Sequence, residues 1–147
     1  MSTRRIPGFA LGLALVASLV AGACGGSSSS SSSSLTAPST PPTSETFTGT
    51  VPVGGNDIHP FNILLSGGQV NITLTQAGPP STIYMGLGIG TWTSPTCTLL
   101  TGGIANTPAA ATAQLSGTTS AGSYCISVYD IGNQTADVTY SVTVTHY

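Results

Sequence analysis

Two histidines, four acids and three cysteines are the groups from which this 147-residue chain would build acid–base, nucleophilic or metal chemistry. Nucleophilic catalysis needs a hydroxyl or thiol beside a base that a third group orients. His59 stands two residues after Asp57, but Pro60 follows it, which places it in extended backbone at a strand entry. His146 is next to last, and no Ser occupies a Gly-x-Ser-x-Gly elbow. Two distant histidines without a free Cys pair fall short of a zinc site. Calcium asks for six to eight oxygens, usually several from carboxylates. Asn56-Asp57 and Asp130 with Asn133 are the weak candidates, and without a dense Asp-x-Asp run they read as turn residues. The residues thus describe no enzyme, no metal and no cofactor. Tyr84, Trp92, Tyr129 and Tyr147 offer stacking faces for a sugar or peptide. Tyr124 and Tyr140 alternate with apolar neighbours and read as core.

Charge narrows the partners. Charged residues make up 4% of the chain, and both basic ones, Arg4 and Arg5, precede residue 6. Nucleic-acid binding needs Lys and Arg against phosphates, so that class is excluded. Cationic phosphoryl clamps and basic patches for anionic lipid are excluded with it. A ligand of this chain is expected to be neutral or cationic, a neutral glycan or an envelope protein being the candidates.

The first 23 residues carry the order of a secretory signal: basic Arg4-Arg5, an apolar run from Phe9 to Val20, then small Ala21-Gly22-Ala23. A run of 15 residues from Phe9 to Ala23 is short for a spanning helix. Ala21-Gly22-Ala23-Cys24 resembles the lipobox of bacterial lipoproteins, although Ala21 stands where that family prefers Leu. The resemblance implies that Cys24 is acylated and becomes the N-terminus; ordinary cleavage nearby is the alternative. Two or more acyl chains anchor stably where one does not. Gly25 in place of Asp leans, by the same resemblance, toward the outer membrane of a diderm cell. Cell envelope is therefore the expected location, with secretion as the alternative.

Residues 24–44 form the expected tether: Cys24, Gly25-Gly26, eight serines from Ser27 to Ser34, then a Pro- and Thr-rich stretch. Such a segment cannot bury enough apolar surface to offset its ordering entropy. Twenty coil residues span about 25 Å, enough to hold a folded head clear of a membrane.

Residues 45–147 alternate with period two and read as an all-β antiparallel sandwich, jelly-roll-like, of seven or eight short strands. Phe47 to Val51, Phe61 to Leu65 and Val70 to Leu74 are the first such runs. Ile83 to Ile89, Tyr124 to Val128 and Val138 to Val144 follow, with a weaker strand at Ala111 to Leu115. Ser66-Gly67-Gly68 between two alternating runs signals a hairpin. If Cys24 is acylated, Cys97 and Cys125 remain as one pair, and export would oxidise them to a disulfide; two unpaired buried thiols are the alternative.

An immunoglobulin domain expects a Tyr two residues before its second Cys and a Trp between the cysteines, which this chain lacks. The head instead resembles bacterial pre-peptidase C-terminal domains. Phe47-Thr48-Gly49-Thr50-Val51, Phe61-Asn62-Ile63 and Gly68 to Leu74 carry the likeness, as do Gly122 to Asp130 and Tyr140 to Val144. The stretch Gly-x-Tyr-Cys-x-x-Val-Tyr-Asp is its most specific part, and Gly90 to Pro108 departs from it, being longer and looser than the core of those domains. The resemblance implies a small noncatalytic β-sandwich appended to exported proteins. The expected function is a lipid-anchored envelope or adhesion module; the alternative is a carbohydrate- or protein-binding accessory domain. Exposed aromatics gathered on one surface, with Tyr84, Trp92 and Tyr129 as candidates, would favour the alternative.

Overall fold

A computed structural model describes residues 40–64 and 68–147. The signal segment, Cys24 and most of the tether lie outside the described residues. Alternation of apolar and small polar residues sends successive side chains to opposite faces. The outcome is eight antiparallel strands in two four-stranded sheets. They are β1 (Thr43–Val51), β2 (Asn56–Ile63), β3 (Gly68–Gly78) and β4 (Met85–Thr93), then β5 (Thr96–Thr107), β6 (Leu115–Thr119), β7 (Gly122–Tyr129) and β8 (Val138–His146).

Sheet order is β1-β8-β3-β6 in one layer and β2-β7-β4-β5 in the other. β1 pairs with β8, β2 with β7, β3 with β6 and β4 with β5. The chain is one long hairpin with its tip between β4 and β5, rolled so that successive pairs fall in alternate sheets. That is a jelly roll.

The rolling corrects the expected hairpin at Ser66-Gly67-Gly68. β2 and β3 belong to opposite sheets, and Gly68 is the first residue of β3. Local turn chemistry permitted a hairpin; the partners that bury each strand's apolar face decided otherwise. A second correction concerns Ala111 to Leu115, of which only Leu115 is in a strand. Alanine is a poor strand former. The segment before β6 instead satisfies the backbone of β3: Ala110 N–H donates to the Leu74 carbonyl, and Leu74 N–H donates to the Gln114 side-chain oxygen at 2.7 Å. Gly90 to Pro108, where the chain departs from the resembled domains, holds the twelve-residue β5. β1 also begins at Thr43, two residues into the expected tether.

The inner faces make one core. Ile63, Ile72, Leu74, Met85, Leu87 and Ile126 are fully buried. Each such side chain stabilises the fold by about 1.5–3 kcal/mol relative to exposure. Tyr124 and Tyr140 join this core, as their alternation implied. The outer face of the first sheet is a hydroxyl array, in which Ser44, Thr46, Thr48 and Thr50 of β1 stand opposite Thr145, Thr143, Ser141 and Thr139 of β8.

The outer face of the second sheet carries Gly86, Gly88 and Gly90 on β4. A Cβ at Gly86 would overlap the Tyr129 ring, one at Gly88 would press on Leu99, and one at Gly90 would meet the backbone of Thr98. The β4–β5 hairpin tip therefore folds down over Gly90. Cys97 of β5 and Cys125 of β7 form a disulfide there, with Cα atoms 5.8 Å apart.

Candidate functional site

Asp130 organises one end of the sandwich. It directly follows β7 and enters the β7–β8 loop, residues 130–137. One carboxylate oxygen accepts the backbone N–H groups of Gly132 at 2.8 Å, Asn133 at 3.1 Å and Gln134 at 3.3 Å. The other accepts Gly54 N–H at 2.8 Å, from the β1–β2 loop. Asp130 N–H in turn donates to the Gly55 carbonyl, and Gly55 N–H to that of Pro52. Gly54 and Gly132 sit at φ +70° and +90°, backbone that disfavours other residues. The Asn133 side-chain amide then donates to the Tyr84 carbonyl at 3.0 Å, adding the β3–β4 loop. Four amide donors favour the ionised carboxylate. The Gly54 N–H leads in holding Asp130 below its ordinary range, against a smaller opposing effect of desolvation.

Each of these three tied loops presents one large apolar side chain to solvent. Val53 is 54% exposed, Tyr84 50% and Ile131 38%. Loops carried on a rigid β scaffold are the usual place for binding residues. No Lys or Arg stands among the described residues, so contact here would be apolar and polar-neutral, with acids at the margin.

The aromatic candidates separate. Tyr84 belongs to this loop end. Tyr129 is half-buried, its ring laid over Gly86. Trp92 stands opposite Cys97 on the folded hairpin tip and is also half-buried. Tyr129 pairs with Gly86, two residues from Tyr84, while Trp92 lies toward the other end of β4.

The two acids named as weak calcium candidates are engaged elsewhere. Asp130 is used by the loop backbone. Asp57 sits with His59 in the seam where β1 and β2, the edges of the two sheets, face each other. Tyr140 O–H donates to Asp57 Oδ2 at 2.9 Å, and its oxygen lies 2.7 Å from His59 Nε2. With the tyrosine proton committed to Asp57, His59 donates from Nε2. Phe47 stacks on the His59 ring at 5.0 Å. A Cβ at Gly49 would overlap Asp57, so the glycine makes room for the carboxylate. Burial, then the Asp57 hydrogen bond and charge, push the Tyr140 phenol well above its ordinary value of 10.0. Its hydroxyl is thus held as a hydrogen-bond donor, a poor nucleophile. Further along the same seam His146 Nε2 meets Glu45 at 2.9 Å. No group of three or more His, Cys, Asp or Glu side chains converges on a metal position among the described residues.

The sequence marked Asp130 as a turn residue, which it is, without showing that it ties two loops, and passed over Val53 and Ile131. Both lie in turn sequences, Pro52-Val-Gly-Gly and Asp130-Ile-Gly-Asn, where an apolar residue inside a turn was the available signal. The spacing of Asp57 and His59 did place them on one face, but Tyr140 is 81 residues from His59 and could not be paired with it by inspection.

Fold and site together define a disulfide-stapled jelly roll with a loop-borne surface. No family model matches the chain, and no curated protein matches it. Among solved structures it is similar to the PliG protein of Aeromonas hydrophila, described as a periplasmic inhibitor of g-type lysozyme. Identity is 16%, the TM-score is 0.46, and the match covers 71% of this chain and 86% of that one. Similarity at this level does not transfer a partner.

Proposed function

We propose that this chain is an exported, noncatalytic envelope module that docks a protein partner through the loop end of Val53, Tyr84 and Ile131. The tying of those three loops by Asp130 and Asn133 carries the reading. A surface fixed in advance loses little conformational entropy on binding. The Cys97–Cys125 bridge suits an oxidising compartment. In this reading Cys24 bears the acyl anchor, the residues from Gly25 to the start of β1 at Thr43 are the tether, and the rest is the head, which resembles pre-peptidase C-terminal domains. Cys24→Ala is expected to release the protein from membranes and abolish acyl incorporation. Retention of the variant after a carbonate wash would remove the anchor. For docking, capture from solubilised envelope should be lost in a Tyr84→Ser, Ile131→Ser variant that keeps its thermal midpoint.

A second reading rests on the hydroxyl face. Thr48, Thr50, Gln76, Thr139 and Ser141 line a shallow dish of about 370 Å³ over Gly49. Uncharged donors and acceptors in such a dish suit a neutral glycan. A glycan screen with a Thr139→Lys control separates it from protein docking.

A further inference from the structure

The second open side of the sandwich, opposite β1 and β2, lies between β5 and β6. There β5 leaves its register: Ile104 pairs with Gly88 and Leu99 with Gly90, so Leu100 to Gly103 oppose Ile89 alone. This excursion stands off from β6 and leaves a cleft of about 160 Å³ between the sheets. Val70, Ile72 and Ile89 of the core form its floor, with Leu100 and Leu115 as walls.

The cleft has an identifiable cause in β6. Gly117 pairs with Val70, whose side chain is buried, so position 117 faces inward. A Cβ built there meets nothing within 4 Å. An inward position of a sandwich strand normally fills the core; here glycine leaves it empty. Gly102 and Gly103 line the opposite lip. Thr119, on the same inward face as Gly117, brings a buried hydroxyl without a hydrogen-bond partner to the lining, and Thr101, Ser116 and Thr118 stand at its margin; the lining contains no ionisable group.

We propose that this cleft binds a small uncharged apolar molecule, about the size of one aromatic ring. An engineered apolar cavity of about 150 Å³ in another protein stays dry and takes up benzene, so the volume is sufficient. A charged ligand would lose its hydration with no partner in the walls. A polyol would find one inward hydroxyl, that of Thr119, against otherwise apolar inner walls, so the ligand carries at most one polar group. The site is independent of the loop end and stands if that reading fails.

The test uses the full chain with toluene, followed by methyl NMR shifts, and 4-fluorotoluene, followed by fluorine NMR. Saturable one-to-one binding is expected, with shifts confined to Val70, Ile72, Ile89, Leu100 and Leu115. Gly117→Leu places a side chain in the open space and should weaken binding at least tenfold while the protein stays folded. Absence of saturation up to the solubility limit would overturn the proposal. So would shifts spread beyond the cleft, or unchanged affinity in folded Gly117→Leu.

Discussion

The Asp130 carboxylate accepts the Gly54 amide proton at 2.8 Å across 76 residues of sequence, and so ties the end of β7 to the turn between β1 and β2. With Gly132, Asn133 and Gln134 on its other oxygen, one side chain sets two loops. Asp130→Asn keeps the shape but loses the charge and half of the acceptor capacity. Amide hydrogen exchange at Gly54, Gly132 and Asn133 should quicken, while exchange in β8 stays protected.

Acid should reproduce that effect. A carboxyl whose folded value lies below its unfolded 3.8 contributes stability that is present above 3.8 and lost as pH falls through the folded value. The wild type should therefore lose loop protection below about pH 4. In Asp130→Asn the contribution of this site should be flat over the same range. Parallel acid curves for the two proteins would exclude the carboxylate as the organiser.

At the alkaline end the sign reverses. The Tyr140 phenol ionises less readily in the fold than its ordinary 10.0, so its contribution is present below that value and lost as pH rises toward the folded one. Tyr140→Phe should show a shallower alkaline loss of stability. At neutral pH it should cost about 1 kcal/mol in denaturant unfolding, since Asp57 and His59 lose their shared partner.

Removing the disulfide tests how far the head depends on its staple. Cys97 and Cys125 are 28 residues apart. Replacing both with Ala should lower the unfolding free energy by about 3.5 kcal/mol on the chain-entropy model. Moderate salt, in contrast, should hardly move the midpoint at neutral pH. The described head has no Lys or Arg, so exposed ion pairs to screen are scarce.

Gly86→Ala should displace the Tyr129 ring, because the added carbon would overlap it. The expected cost is about 1–3 kcal/mol, as for other overpacked sites. Combining it with Tyr129→Ala should give less than the sum of the two single effects. Additivity would mean that ring and glycine do not touch.

β1, β3, β4, β7 and β8 were legible because buried apolar residues alternate along them with residues that are mostly small or polar. β5 was not, since as a bent edge strand it buries neither face in regular alternation. The Gly67-Gly68 turn misled because two strands joined by a short link can still belong to opposite sheets. Asp130 showed itself only as a turn residue. Its role depends on where Gly54 and Tyr84 arrive in space, and the jelly-roll pairing decides that, not the local sequence.

The central claim is that the tied loop end recognises a protein. The direct measurement is equilibrium binding of full-length protein to a partner purified from its envelope, comparing wild type with Val53→Ser, Tyr84→Ser and Ile131→Ser. Each variant should weaken binding by about 1–2 kcal/mol, as truncation at a contact surface does, with thermal midpoints unchanged. Wild-type affinity in all three, measured on folded protein, would contradict the claim.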